Sequence, residues 1–119
     1  MILMAVESSC DETAVAVVRD GRTVLSDAIL SQADMHALYG GVVPEIASRK
    51  HVEAIAGLTD QALSDAGLTK SGVDAVAVTY APGLIGAVLV GVSFAKSVAY
   101  ALDVPLIPVH HVRGHIAAN

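Results

Sequence analysis

The first 31 residues hold three short apolar or β-branched runs, and the turns between them leave no room for a helix. Residues 2–6 (ILMAV) form a continuous apolar run, as expected of a strand covered on both faces. Residues 13–18 (TAVAVV) read as a second strand. Asp20-Gly21 is a hairpin signal, and residues 23–31 form the third strand. Consecutive strands joined by short turns make an antiparallel meander.

The period then changes. Gly40-Gly41 breaks the chain and Pro44 suits a first helical turn. Ile46, Ala47, Val52, Ile55, Leu58, Ala62 and Leu63 recur at roughly helical spacing up to Ala66, and Gly67 suits the position just past the end. Glu45 lies four residues before Arg49, a mildly favourable pair. Lys70-Ser71-Gly72 reads as a loop, residues 73–79 as a strand, 86–102 as a second helix and 106–109 as a fifth strand, with another helix beginning near Val112. The order βββαβαβ(α) predicts an α/β fold, a mixed sheet with helices on its faces. That is the order of ribonuclease H-like folds and of each lobe of the actin-like ATPases. Fold alone does not fix function.

Composition narrows the class. More than half of the 119 residues are apolar, yet Phe94, Tyr39, Tyr80 and Tyr100 are the aromatic residues, so the core is aliphatic. This excludes a disordered tail. Cys10 stands alone, which excludes a disulfide scaffold and suits a reducing cytosol. The net charge of −5 and the scattered Lys and Arg leave no basic stripe, so this segment by itself binds polyanions poorly. The run 2–6 is stopped by Glu7 and has no basic flank, unlike a signal peptide. The stretch 81–95 is too short to span a bilayer, and a buried helix is the better reading.

Three places can carry chemistry. Glu7-Ser8-Ser9-Cys10-Asp11-Glu12-Thr13 crowds carboxylates and hydroxyls into a turn. Such a turn can aim N–H groups and hydroxyls at a phosphate while Asp11 holds a cation or its water; the same residues also suit an ordinary polar turn. Tyr80-Ala81-Pro82-Gly83-Leu84-Ile85-Gly86 leads from a strand into a helix N-terminus, a geometry suited to anions. It lacks the Gly-Lys-Ser/Thr ending of a P-loop, and a closely packed crossover turn is an equal reading. His110-His111-Val112-Arg113-Gly114-His115 is the sharpest signal. His111 and His115 are four apart, so a helix puts both imidazoles on one face. Neutral imidazole suits Zn, Fe or Ni rather than Mg; a solvated polar helix start is the alternative reading of the same residues. Val112 stands where a zincin protease needs its Glu, which argues against peptide hydrolysis. His36 and His51 read as surface residues, and Met4 and Met35 as packing. Gly91, Ala95 and Ala99, spaced by four, permit close helix approach to the sheet or to a partner helix.

The first of these motifs, Tyr39-Gly40-Gly41-Val42-Val43-Pro44-Glu45-Ile46-Ala47-Ser48-Arg49, Ala81-Pro82-Gly83-Leu84, and Pro108-Val109-His110-His111 with His115 follow one another in an order and spacing that resembles the N-terminal third of the TsaD family. These are the catalytic subunits of tRNA threonylcarbamoyladenosine (t6A) synthesis. Ser8 stands where the family more often has Thr, and the hydroxyl is kept. The resemblance implies an actin-like (ASKHA) fold of two ribonuclease H-like lobes, of which residues 1–119 are the N-terminal one within a longer chain. It implies transfer of a threonylcarbamoyl group from threonylcarbamoyl-AMP to N6 of adenosine 37 in tRNAs reading codons that begin with A. It implies that His111 and His115 are ligands of one Fe2+ or Zn2+ ion. Asp11 and Glu12 are then the catalytic candidates, and Ser9, Asp11, Pro82 and Gly83 the substrate-binding ones. It implies a TsaB-like paralogue as partner through the helices, further t6A subunits, tRNA in the full complex, a cytoplasmic setting and no membrane. The family's Gly-rich substrate loop and its late Asp ligand fall beyond Asn119, so the 119-residue chain is expected to be inactive alone. Two other classes remain: an actin-like or sugar-kinase ATPase, and a non-catalytic TsaB-like dimerisation partner, against which the His pair argues.

Overall fold

A computed structural model describes residues 1–9, 11–32, 40–41 and 44–118. Cys10, Met35, His36, Tyr39, Val42 and Val43 therefore lie outside the described residues. Strands β1 (Ile2–Glu7), β2 (Glu12–Arg19) and β3 (Thr23–Ser31) form the meander. Helix α1 (Pro44–Asp65), strand β4 (Ala75–Ala81), helix α2 (Ile85–Leu102), strand β5 (Leu106–His110) and helix α3 (His111–Ala118) follow. The sheet order is β3-β2-β1-β4-β5; β2 is antiparallel to β1 and β3, while β1, β4 and β5 run parallel. This is the expected ribonuclease H-like lobe. Lys70–Gly72, expected as loop, forms one 3-10 turn.

Local chemistry explains the boundaries. Asp20 and Gly21 both have positive φ (54° and 70°), as the primed hairpin turns require. After α1, Gly67 takes φ 71°, Leu68 N–H reaches Leu63 O at 2.9 Å and Gly67 N–H reaches Ser64 O at 3.0 Å. That pair of bonds is a Schellman motif with Gly67 at C′. Helix α2 ends the same way with Asp103 at φ 54°.

Strand alternation sorts the sheet into two faces. Met4, Val6, Val15, Val17, Ala28, Val76 and Val78 point to the face covered by α1 and α2 and make the core with Ile55, Leu63 and Ala95. Helix α2 approaches closely because Ala87, Gly91, Ala95 and Ala99 face the sheet. By length and composition alone this 18-residue helix is long and apolar enough to cross a membrane, but its buried Ala87, Gly91, Ala95 and Ala99 pack it on the sheet, in keeping with the expected buried helix. The opposite face presents Ala5, Ala14, Ala16 and Ala77, with α3 at one end. The expected two-sided cover of β1 is thus seen in full on one side only, among the described residues.

Two expectations about α1 are corrected. His51 is fully buried, because Ala47, His51, Ile55, Thr59 and Leu63, spaced by four, form the inward stripe. Val52, counted with the apolar face, is 62% exposed, one position off that stripe. The Arg49–Glu45 pair forms, at 2.6 Å, on the exposed side. Ser26 Oγ donates to Ala62 O at 2.6 Å and ties β3 to α1. Ser26→Ala is expected to cost about 1 kcal/mol, read as a lower urea midpoint at unchanged slope.

Candidate functional site

The C-terminal ends of the parallel strands β1, β4 and β5 come together beside the β1–β2 turn. Crevices at the carboxyl ends of parallel strands are where α/β sheets place ligands. Alternation puts Glu7 and Thr79 on the α3 face, and Ser8 on the opposite face.

Helix α3 starts at His111, one residue earlier than expected, so His111 and His115 both lie on it, one turn apart. Their Nε2 atoms face each other at 3.1 Å, with ring centroids 4.5 Å apart. Two nitrogens held at about 2.0–2.1 Å by one tetrahedral cation are about 3.3 Å apart, so the pair fits two ligand positions of such an ion. Among the described residues no group of three His, Cys, Asp or Glu converges on one metal position. The pair can therefore supply two ligands and not a closed site.

Glu7, which the sequence analysis named in the turn without a role of its own, is the centre of the hydrogen bonds beneath the His pair. Its Oε2 accepts from His111 Nδ1 at 2.9 Å and from Thr79 Oγ1 at 2.8 Å; its Oε1 accepts from the Ser9 N–H at 2.6 Å. Burial pushes the Glu7 carboxyl upward. The bonds from the Ser9 side chain, His111, the Ser9 backbone and Thr79 together outweigh it and hold the group below the ordinary carboxylate range. Glu7 is thus ionised at neutral pH. The available signal was the period of two in β1, which sends Glu7 to the face away from the core. Its partners on β4 and α3 are 72 and 104 residues away in sequence.

Glu7, Ser9, Asp11, Glu12, His111 and His115 line one open cleft of about 250 Å³. Asp11 and Glu12 are therefore brought to the His pair. His110 is not; its ring packs edge-on to Tyr80, with centroids 6.3 Å apart. Pro82 and Gly83 do not line this cleft. Pro82 follows Ala81 through a cis bond, and next to it Gly83 packs closely on Ser9 of the turn, where Leu84 N–H donates to Ser9 O at 2.8 Å.

The turn is anchored at several points. Ser8 Oγ donates to Ala87 O at 2.7 Å and accepts from Gly91 N–H at 3.0 Å, so the hydroxyl sits between a helical carbonyl and the amide four residues on. A Cβ at position 91 would overlap Ser8 Oγ, which is why Gly stands there. Thr13 Oγ1 and His51 Nδ1 are 2.6 Å apart and both buried. Gln32 N–H donates to Asp11 O at 2.8 Å while its side chain donates to Ala47 O at 3.3 Å. Both core helices thus hold the turn that carries Asp11 and Glu12.

Residues 23–119 match the model of the TsaD family, tRNA N6-adenosine threonylcarbamoyltransferase. The chain is 59% identical over 119 residues to the tRNA N6-adenosine threonylcarbamoyltransferase of Fusobacterium nucleatum, covering all of this chain and 35% of that protein. It is 61% identical over 118 residues to that of Clostridium perfringens, covering 99% of this chain and 35% of the relative. The chain thus spans about a third of the length of these relatives. Among solved structures, YeaZ from Pseudomonas aeruginosa superposes with a TM-score of 0.71 at 26% identity, over 92% of this chain and 43% of YeaZ. With a family model spanning most of its length and relatives about 60% identical, this chain belongs to the TsaD family of tRNA N6-adenosine threonylcarbamoyltransferases.

Proposed function

We propose that this chain is the metal- and nucleotide-holding lobe of an enzyme that moves a threonylcarbamoyl group from threonylcarbamoyl-AMP to N6 of adenosine 37 in tRNAs reading codons that begin with A. The observation that carries this reading is the facing pair of His111 and His115 Nε2 atoms over a cleft lined by Asp11 and Glu12. His111 and His115 would hold one Fe2+ or Zn2+ ion. When bound, such an ion supplies a Lewis acid and a template for the acyl group. Ser9 and Asp11 face the nucleotide phosphate from the turn, and Pro82 and Gly83 support it from behind.

The transfer joins N6 to the carbamoyl carbon and breaks the bond from that carbon to the phosphate oxygen. AMP leaves with the electron pair, and the amine proton passes to a carboxylate of the cleft, Asp11 or Glu12. Position 37 lies in a single-stranded loop, where bases can be reached without opening a duplex. With a net charge of −5, this lobe leaves most phosphate contacts of the tRNA to other parts of the enzyme and its partners.

A TsaB-like paralogue would dock on α1 and α2, whose outer sides expose Val52, Ile85 and Leu89; the likeness to YeaZ supports a partner of this kind. Further t6A subunits complete the assembly, which would work in the cytoplasm without a membrane. In the whole protein, His111→Ala and His115→Ala are each expected to remove bound Fe or Zn, measured by elemental analysis, and to reduce transfer to background. Unchanged metal content and turnover in both variants would refute the reading.

A further inference from the structure

We propose that Glu7 is the positioning residue of the histidine pair: it fixes His111 with its proton on Nδ1 and its bare Nε2 turned toward His115, and it ties that orientation to the phosphate-facing turn. This rests on the metal reading above and assigns a role to a residue outside the pair.

The carboxylate decides the direction of the bonds. Ser9 N–H donates to Oε1, and Thr79 O–H and His111 Nδ1–H donate to Oε2, while the Ser9 hydroxyl lies beside them, 3.3 Å from His111 Nδ1. The Ser9 amide can only donate, so Oε1 must accept. Only a carboxylate offers acceptors on both arms. A carboxamide at this position has one oxygen. With that oxygen toward Ser9, its NH2 group faces His111 Nδ1, which must then accept, and the proton moves to Nε2, where it blocks a cation. With the oxygen toward His111, the NH2 group opposes the Ser9 N–H and displaces the turn. Either way the pair and the turn lose register. The bond between Glu7 and His111 is the carboxylate–histidine arrangement that orients metal-bound imidazoles and raises their basicity. The 3.1 Å contact between the two Nε2 atoms is consistent with it, since His111 Nε2 can accept from His115 Nε2–H when no ion is bound.

The test uses the whole protein and Zn2+ as probe. In metal-free wild-type protein, 15N NMR of the imidazoles is expected to show His111 protonated on Nδ1 and bare on Nε2. A proton on Nε2 instead would overturn the proposal, and this measurement needs no variant to fold. Glu7→Gln is expected to lower Zn2+ affinity about 10- to 100-fold in a chelator competition and to shift the His111 pattern toward Nε2–H. Equal Zn2+ affinity in wild type and Glu7→Gln would refute the role of Glu7 and leave the metal reading intact. Absence of Zn2+ binding by the wild type would refute the metal reading itself.

Discussion

His51→Ala is expected to destabilise the protein by about 3 kcal/mol, read from urea unfolding followed by circular dichroism. The side chain is fully buried between α1 and β2, so its loss leaves a cavity. It also removes the partner of the Thr13 hydroxyl, itself 0% exposed, and an unpaired buried hydroxyl adds about 1–3 kcal/mol. His51→Asn, whose amide can occupy the place of Nδ1, is expected to recover part of the loss. A double-mutant cycle with Thr13→Val should give a coupling of about 1 kcal/mol. A cycle with zero coupling would show that the bond to Thr13 contributes nothing to the effect. The consequence reaches the site, because Thr13 ends the turn that carries Asp11 and Glu12.

Gly83→Ala is expected to have a comparable effect, about 1–3 kcal/mol, by overpacking. A Cβ there would overlap the Ser9 carbonyl oxygen and lie 2.7 Å from Ser9 Cβ. These are atoms of a braced turn and not the end of a flexible side chain, so the crossover loop or the turn must move. Movement of Ser9 breaks its bond to Glu7, so the variant should also lose affinity for Zn2+. By contrast Gly57→Ala, where nothing lies within 4 Å of the added carbon, should be neutral or stabilising, because Ala is the better helix former. Equal stability and Zn2+ binding in Gly83→Ala and Gly57→Ala would show that the close approach of Gly83 to Ser9 is unimportant.

Exposed residues explain why both sites are sensitive. The ends of the turn are held by buried bonds to α1 and α2, whereas the outer sides of those helices expose Val52, Leu89 and Tyr100. A change at a buried anchor is expected to reach the cleft, and a change on the outside to leave it unaltered unless a partner is bound there.

The alternation of apolar residues, the Asp20-Gly21 turn, the Gly67 stop and the four-residue spacing of His111 and His115 are local signals. Each depends on neighbours within a turn of helix or a pair of strands, so the chain alone determined the element order, the meander and the shared face of the two imidazoles. Tertiary structure decided what sequence distance conceals. It placed Glu7 beside His111, 104 residues away, brought Thr79 to the same carboxylate, and drew His51 into the core through Thr13. These contacts depend on sheet order and helix packing. Spacing along one element cannot encode them, because the strands and helices that carry the partners become neighbours only when the mixed sheet and its helices assemble.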